Sequence, residues 1–183
     1  PIKLAGEAAM TDVLSNGRLE LGLARGAYLY EYDRIIPGMD AMEAGLRMRE
    51  IVPTLQKLWK GDYAHDGKYF QFPSTTSIPK PLQDNGPPIW IAARDPNSHE
   101  FAIANDWDVQ VTPLWKGFDE IERLKNIFDD ICSKYSDKPR PLSMVLNHCY
   151  IGSNDDDIHK GAVAVSKFYN NFGAWFKNNR SVI

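Results

Sequence analysis

Two hydrophobic periods alternate along the chain, one near 3.6 residues and one of 2. Residues 2–14 place Leu4, Ala8, Val13 and Leu14 near helical spacing, with Glu7 and Asp12 assigned to the surface. Ser15-Asn16-Gly17 reads as a helix stop, because glycine tolerates the left-handed conformation that ends helices. The segment LELGLARG, residues 19–26, follows. Its leucines can face one side while Gly22 and Ala24 leave room on the other. This strand delivers Arg25 to its own C-terminal end, where Gly26 permits a sharp turn or a close approach. An arginine in that place suits an anion site, and it equally suits a surface.

An aromatic segment, Tyr28, Tyr30 and Tyr32, leads to a loop around Pro37-Gly38. Asp40 suits the N-cap of a long helix reaching about Trp59, with Met42, Leu46, Val52, Leu55 and Leu58 among its apolar residues. Pro53 removes a backbone donor and crowds the Arg49 carbonyl, so a kink, or a helix start closer to it, is expected. Residues 63–72 read as a hairpin turning at His65-Asp66-Gly67-Lys68. Pro79, Pro81, Pro87 and Pro88 make a stiff connector. It suits a linker or a tied-down loop crossing one face of a domain. The second reading is preferred, because the flanking elements look like parts of one sheet.

Residues 89–94, IWIAAR, form a nearly continuous apolar run, as in a parallel strand covered on both faces. It too ends in arginine, and Asp95-Pro96-Asn97-Ser98 then starts a helix. A third strand is expected over 109–114 and a fourth over 142–151. Between them residues 118–135 carry Phe118, Ile121, Leu124, Ile127, Phe128 and Ile131 on one face. Ser153 or Asn154 caps a last helix whose first turn holds Asp155, Asp156 and Asp157, favourable at the positive end of its dipole. Trp175 and Phe176 precede a polar tail.

Strands alternating with helices imply an α/β fold with a parallel sheet and right-handed crossovers. The pattern fits an open sheet or a closed barrel. In both, ligands sit beyond the C-terminal strand ends, which places Arg25 and Arg94 on the functional rim.

Composition narrows the function classes. The 183 residues carry a net charge of −3, with no basic stripe of the kind nucleic-acid binding requires. No apolar run approaches a membrane helix. Two cysteines in a chain of this size give no disulfide framework, and a reducing, cytoplasmic compartment is expected. Cys132 lies in an amphipathic helix and is read as packing.

The candidate chemistry is phosphate binding. Helix-start N–H groups favour an anion, the Ser98 hydroxyl can donate, and Arg25 can donate two parallel bonds. Ser98 equally fits a simple cap, and Arg94 fits a salt bridge to Asp95 or a neighbouring acid. Asp95 can cap the helix or oppose the phosphate. His65, His99, His148 and His159 have no metal-ligand spacing, so no metal is expected. His148, late in the fourth strand, is retained because it could approach a pocket.

The segments EAAMTDVLSNGRLELGLARG, KLWKG with GKYFQF, PKPLQ and PPIWIAARDPNSHEFA together resemble the luciferase-like flavin monooxygenase family. The resemblance implies a (β/α)8 TIM barrel, of which this chain supplies roughly strands four to seven. Residues 1–183 then form one domain, expected to be incomplete at both ends. It implies FMN, with phosphate groups matching Arg25, Arg94, Asp95 and Ser98. Ala24 and Ala27 would lie against the flavin or its phosphate, and Ala92 and Ala93 would line the flavin. Ala24 stands where bacterial luciferase has a reactive cysteine, Arg94 where it has glutamate, and Asp95 where many relatives have serine. A charge-consistent expectation is that Arg94 neutralises Asp95 and keeps spare donors for phosphate. The implied reaction uses reduced FMN and oxygen on a small organic substrate such as an aldehyde. The resemblance leaves the catalytic base unassigned, since the family's histidine lies on an earlier strand. A flavin reductase partner and a homodimer or heterodimer are implied. A deazaflavin-dependent oxidoreductase and a non-catalytic flavin-binding subunit are the alternatives.

Overall fold

The computed structural model describes residues 1–178. The side chains of Tyr30, Trp175 and Phe176 and the polar tail lie outside the described residues. The elements are α1 (Ile2–Leu14), β1 (Leu21–Leu23), α2 (Leu29–Ile35), α3 (Ala41–Lys60), β2 (Tyr63–Asp66) and β3 (Gln71–Thr75). There follow β4 (Ile89–Ala92), α4 (Pro96–Ala104), β5 (Asp108–Val111), α5 (Phe118–Lys134), β6 (Ser143–Val145) and α6 (Asp155–Asn178).

Strands β1, β4, β5 and β6 pair in that order, all parallel. The antiparallel β2–β3 hairpin stands apart. The α/β reading holds. Leucine, isoleucine and valine side chains on one sheet face meet the helices, with Ile91, Val109, Leu55, Leu58 and Leu124 fully buried at the centre. The other face is not covered among the described residues: Trp90 is half-buried and Ala92 exposed. The β4 run is therefore covered on one face, not both.

Helix α1 departs from the expected pattern. It buries Ala5, Ala8, Ala9 and Asp12, while Leu14 is 79% exposed. The small alanines let α3 approach closely enough for Trp59 Nε1 to donate to the Ala5 carbonyl at 2.9 Å. Asp12 is no surface residue. Its carboxylate accepts from the Leu82 and Gln83 backbone N–H groups and from Gln83 Nε2. Lys80 donates to the Leu58 carbonyl at 2.8 Å. The prolyl connector is thus a loop tied across the domain.

Asp40 caps α3, accepting from the Glu43 N–H at 2.8 Å. The helix runs through Pro53 without a break, because Val52, Thr54, Leu55 and Leu58 around it are locked in the core and packing overrides a local propensity. The aromatic segment forms α2, held to α3 by a small cluster of Tyr32, Met39 and Ala44. The hairpin forms, but His65 and Asp66, expected in the turn, belong to β2, and β3 runs on to Thr75. Glu50 fastens it to α3, accepting from the Tyr69 and Phe70 N–H groups and pairing with His65. In α5, Leu124, Phe128 and Ile131 are buried and Cys132 packs beside them, but Phe118 is 84% exposed. Strand β6 spans three residues rather than ten. Asn154 caps α6, accepting from the Asp157 N–H at 3.0 Å.

Candidate functional site

The register Leu21↔Ile89 and Leu23↔Ile91 brings the C-terminal ends of β1 and β4 side by side. Alternation then sorts the residues leaving them. Ala24 and Ala92 are exposed on the uncovered side. Ala93 is 1% exposed among the helices, and its N–H donates to the Gln110 carbonyl. Its side chain therefore faces away from the surface it was expected to line. Ala27 is half-buried on the way into α2.

Asp95 is the N-cap of α4. One oxygen accepts the Ser98 N–H at 3.0 Å and the other accepts the Ser98 hydroxyl at 2.7 Å. The Ser98 O–H is thus given to Asp95 rather than offered to an anion, which corrects the expected donor role. Pro96 has no N–H, so Asn97 carries the first-turn N–H outside these bonds. Burial opposes the Asp95 charge. The two Ser98 bonds and the fields of Arg25 and Arg49 outweigh it and hold the carboxyl below its ordinary range.

Arg25 is exposed and makes no hydrogen bond or ion pair among the described residues. Arg49, from α3, donates to the Asn97 carbonyl at 3.0 Å and lies over the Phe101 ring. Between the two arginines sits Gly45, which is buried. A Cβ built there would lie 3.8 Å from Arg25 Cδ and 4.0 Å from Arg49 Nη1. Tyr32 closes the other side. Its ring would be 2.8 Å from a Cβ on Gly26, whose φ is +89°. Burial raises the Tyr32 pKa, and the Arg25 charge opposes that shift.

Arg94 does not neutralise Asp95. Both Asp95 oxygens are bound to Ser98, and Arg94 turns to the first turn of α5, donating to Glu120 at 2.6 Å. Arg123 holds both Glu120 oxygens at 2.8 Å and donates to the Arg94 carbonyl. The Arg123 hydrogen bond, followed by that of Arg94, brings the Glu120 pKa down to about 2 despite burial. Arg94 Nε and Nη1 are buried without hydrogen-bond partners among the described residues. His148 lies beyond β6, bound to Tyr169 at 2.6 Å and packed on Phe168, so α6 holds it rather than the rim. Among the described residues no group of three or more His, Cys, Asp or Glu is placed to hold a metal.

The arrangement is a shallow cationic rim. It can hold an anionic group beside an open sheet face floored by small residues. A family model described as luciferase-like monooxygenase matches residues 1–182. The chain belongs to the luciferase-like monooxygenase family. It is 57% identical over 182 residues to the oxygenase component of a flavin-dependent trigonelline monooxygenase from Acinetobacter baylyi, covering 100% of this chain and 51% of that protein. It is 27% identical over 180 residues to an alkanal monooxygenase alpha chain from Aliivibrio fischeri, covering 94% of this chain and 47% of that one. The crystal structure of the monooxygenase RslO1 from Streptomyces bottropensis superposes with a TM-score of 0.80 at 25% identity, covering 97% of this chain and 56% of that one. The chain thus spans about half the length of the relatives it matches, and its parallel β/α layers are those of the barrel the sequence implied.

Sequence reading singled out Arg25 as the end of a strand, although β1 stops two residues earlier, at Leu23. Arg49 and Glu120 were missed. Arg49 sits one helical turn after Gly45, a spacing that places both on one face. Glu120 lies in the first turn of α5, where an acid also serves the helix dipole.

Proposed function

We propose that this protein is the flavin-binding oxygenase of a two-component monooxygenase. The carrying observation is the 57% identity, across the whole chain, to an oxygenase component. The rim supports it: Arg25 is exposed beside the start of α4, and Ala24 and Ala92 keep the adjacent surface low. In this reading Arg25 and the Asn97 N–H hold the FMN phosphate. Asp95 and Ser98 fix the helix start, and Ala24, Ala27 and Ala92 border the flavin. Ala93 contributes backbone only, and Arg94 acts through its pairing with Glu120. Reduced FMN supplies the electrons for oxygen activation, and the chain binds and orients it.

The four strands correspond to strands four to seven of a (β/α)8 barrel in a single domain longer than residues 1–183. A flavin reductase delivers the cofactor. The substrate is an N-methylated pyridine carboxylate of the trigonelline type, processed by a dimer in the cytoplasm. Among the described residues, no helix is long and apolar enough to cross a membrane.

Titration of FMN and deazaflavin against the wild type and Arg25→Ala tests the cofactor. FMN is expected to bind the wild type and to weaken about tenfold or more on loss of a charge-assisted contact. Equal FMN binding by both proteins removes Arg25 from the site, and preference for the deazaflavin overturns FMN. Oxygen uptake with chemically reduced FMN and trigonelline tests the reaction.

A further inference from the structure

Tyr32 carries a hydroxyl that nothing in the proposed function uses. The residue is 3% exposed, and its hydroxyl has no hydrogen-bond partner among the described residues. A buried hydroxyl left unpaired costs free energy, so an unpartnered one beside a binding rim points to a missing acceptor. The acceptor's place is bounded by Gly26 and Arg25. The Tyr32 oxygen would be 3.4 Å from a Cβ on Gly26, the residue that follows Arg25, and the Arg25 charge acts on the phenol.

Arg49 approaches the other flank of Arg25 from α3. Its Nη2 is spent on the Asn97 carbonyl, while Nη1 lies near Gly45, whose other flank is Arg25 Cδ. The Asp95 carboxylate feels both guanidinium groups. The Glu31 carboxylate also acts on the phenol, so the place is defined by its donors, two guanidinium groups and an unpaired phenol, rather than by a net charge. That set suits a phosphate monoester, which accepts several hydrogen bonds at once.

We propose that Tyr32 and Arg49 complete the phosphate site, the phenol donating to a phosphate oxygen and Arg49 supplying the second cation while it fixes the start of α4. The proposal rests on the flavin reading for the identity of the phosphate carrier. Its residues and donors stand on the packing around Gly26 and Gly45.

The test is the ratio of FMN to riboflavin affinity, since riboflavin lacks only the phosphate. Flavin fluorescence titration is run on the wild type, Tyr32→Phe and Arg49→Gln, with melting curves confirming that each is folded. The expected result is a fall of about tenfold in that ratio in each variant, with riboflavin affinity unchanged. An unchanged ratio in both variants overturns the proposal while the flavin reading stands. If neither flavin binds the wild type, that reading falls and inorganic phosphate decides the site. A phosphate-dependent rise in melting temperature that both variants lose supports the site, and no rise in the wild type overturns it. Tyr32→Phe guards against a folding artefact, because it removes one oxygen and leaves the ring on Gly26.

Discussion

At the scale of the residue, Asp12 shows how far a side chain's role departs from its hydropathy. It sits fully buried at the end of α1, where its carboxylate answers two backbone N–H groups and one side-chain amide of the prolyl connector. Burial opposes its charge, but the Gln83 and Leu82 hydrogen bonds prevail and keep its pKa below the ordinary carboxylate range. Replacing Asp12 with alanine strands those donors, and a loss of about 2–3 kcal/mol in urea unfolding is expected. Asp12→Asn, which keeps one acceptor oxygen, should cost less. Equal stability of wild type and Asp12→Ala would mean that water takes over these bonds. Nothing in the residue's neighbourhood in sequence announced this, because its partners lie 70 and 71 residues away. Arg25 drew notice for the opposite reason: it follows an alternating run, even though the strand itself is only three residues long and ends at Leu23. Ser98 was half legible. Its place at a helix start could be read, but the direction of its O–H depended on Asp95 being the cap.

At the scale of the element, the link between β4 and α5 depends on charge. Glu120 is 6% exposed between Arg94 and Arg123, with its pKa brought from an ordinary 4.5 to about 2. A depressed carboxylate contributes stability that is complete above its unfolded value and is lost as pH falls through the folded one. Stability measured by urea between pH 5 and pH 2 should therefore fall more steeply for the wild type than for Glu120→Gln. Parallel curves would remove Glu120 from the acid response. Near neutral pH the substitution should cost about 1–3 kcal/mol, since it leaves two arginines without their counter-charge. Helix α3 carries a second expectation. Pro53 lies inside a helix that does not break, so Pro53→Ala restores a backbone donor and should raise stability by about 1 kcal/mol or more, read as a higher urea midpoint. The elements best read from sequence are those whose apolar period is long, α3 and α5, or whose cap is explicit, α4. Helix α2 escaped because seven residues rich in tyrosine carry no helical signature until Tyr32 packs against Met39 and Ala44. Strand β6 was overread because the apolar run from Leu142 to Ile151 continues past Val145 as irregular chain packed by α6.

At the scale of the whole molecule, the four parallel strands end in two edges, β1 and β6, that are unpaired among the described residues. Unpaired edges expose rows of N–H and C=O groups to any other strand, and here one of them is apolar. Around β6, Val145, Leu146 and Ile151 are 44%, 59% and 90% exposed. The uncovered sheet face adds Trp90 and Ala92 at its centre. Closure into a barrel would bury such a face and remove both edges, which agrees with family relatives about twice as long. The physical consequence can be tested on the 183-residue polypeptide itself. Apolar surface of this extent favours association, so sedimentation at tens of micromolar should show assemblies that dissociate on dilution. Leu146→Lys combined with Ile151→Lys places two charges in the exposed apolar chain that follows β6 and should weaken association about tenfold or more, with the melting temperature little changed because neither side chain is in the core. A wild-type polypeptide that stays monomeric at these concentrations, or lysine variants that associate as strongly, would show that the β6 edge is protected within the chain and that barrel closure is not what the exposed surface serves.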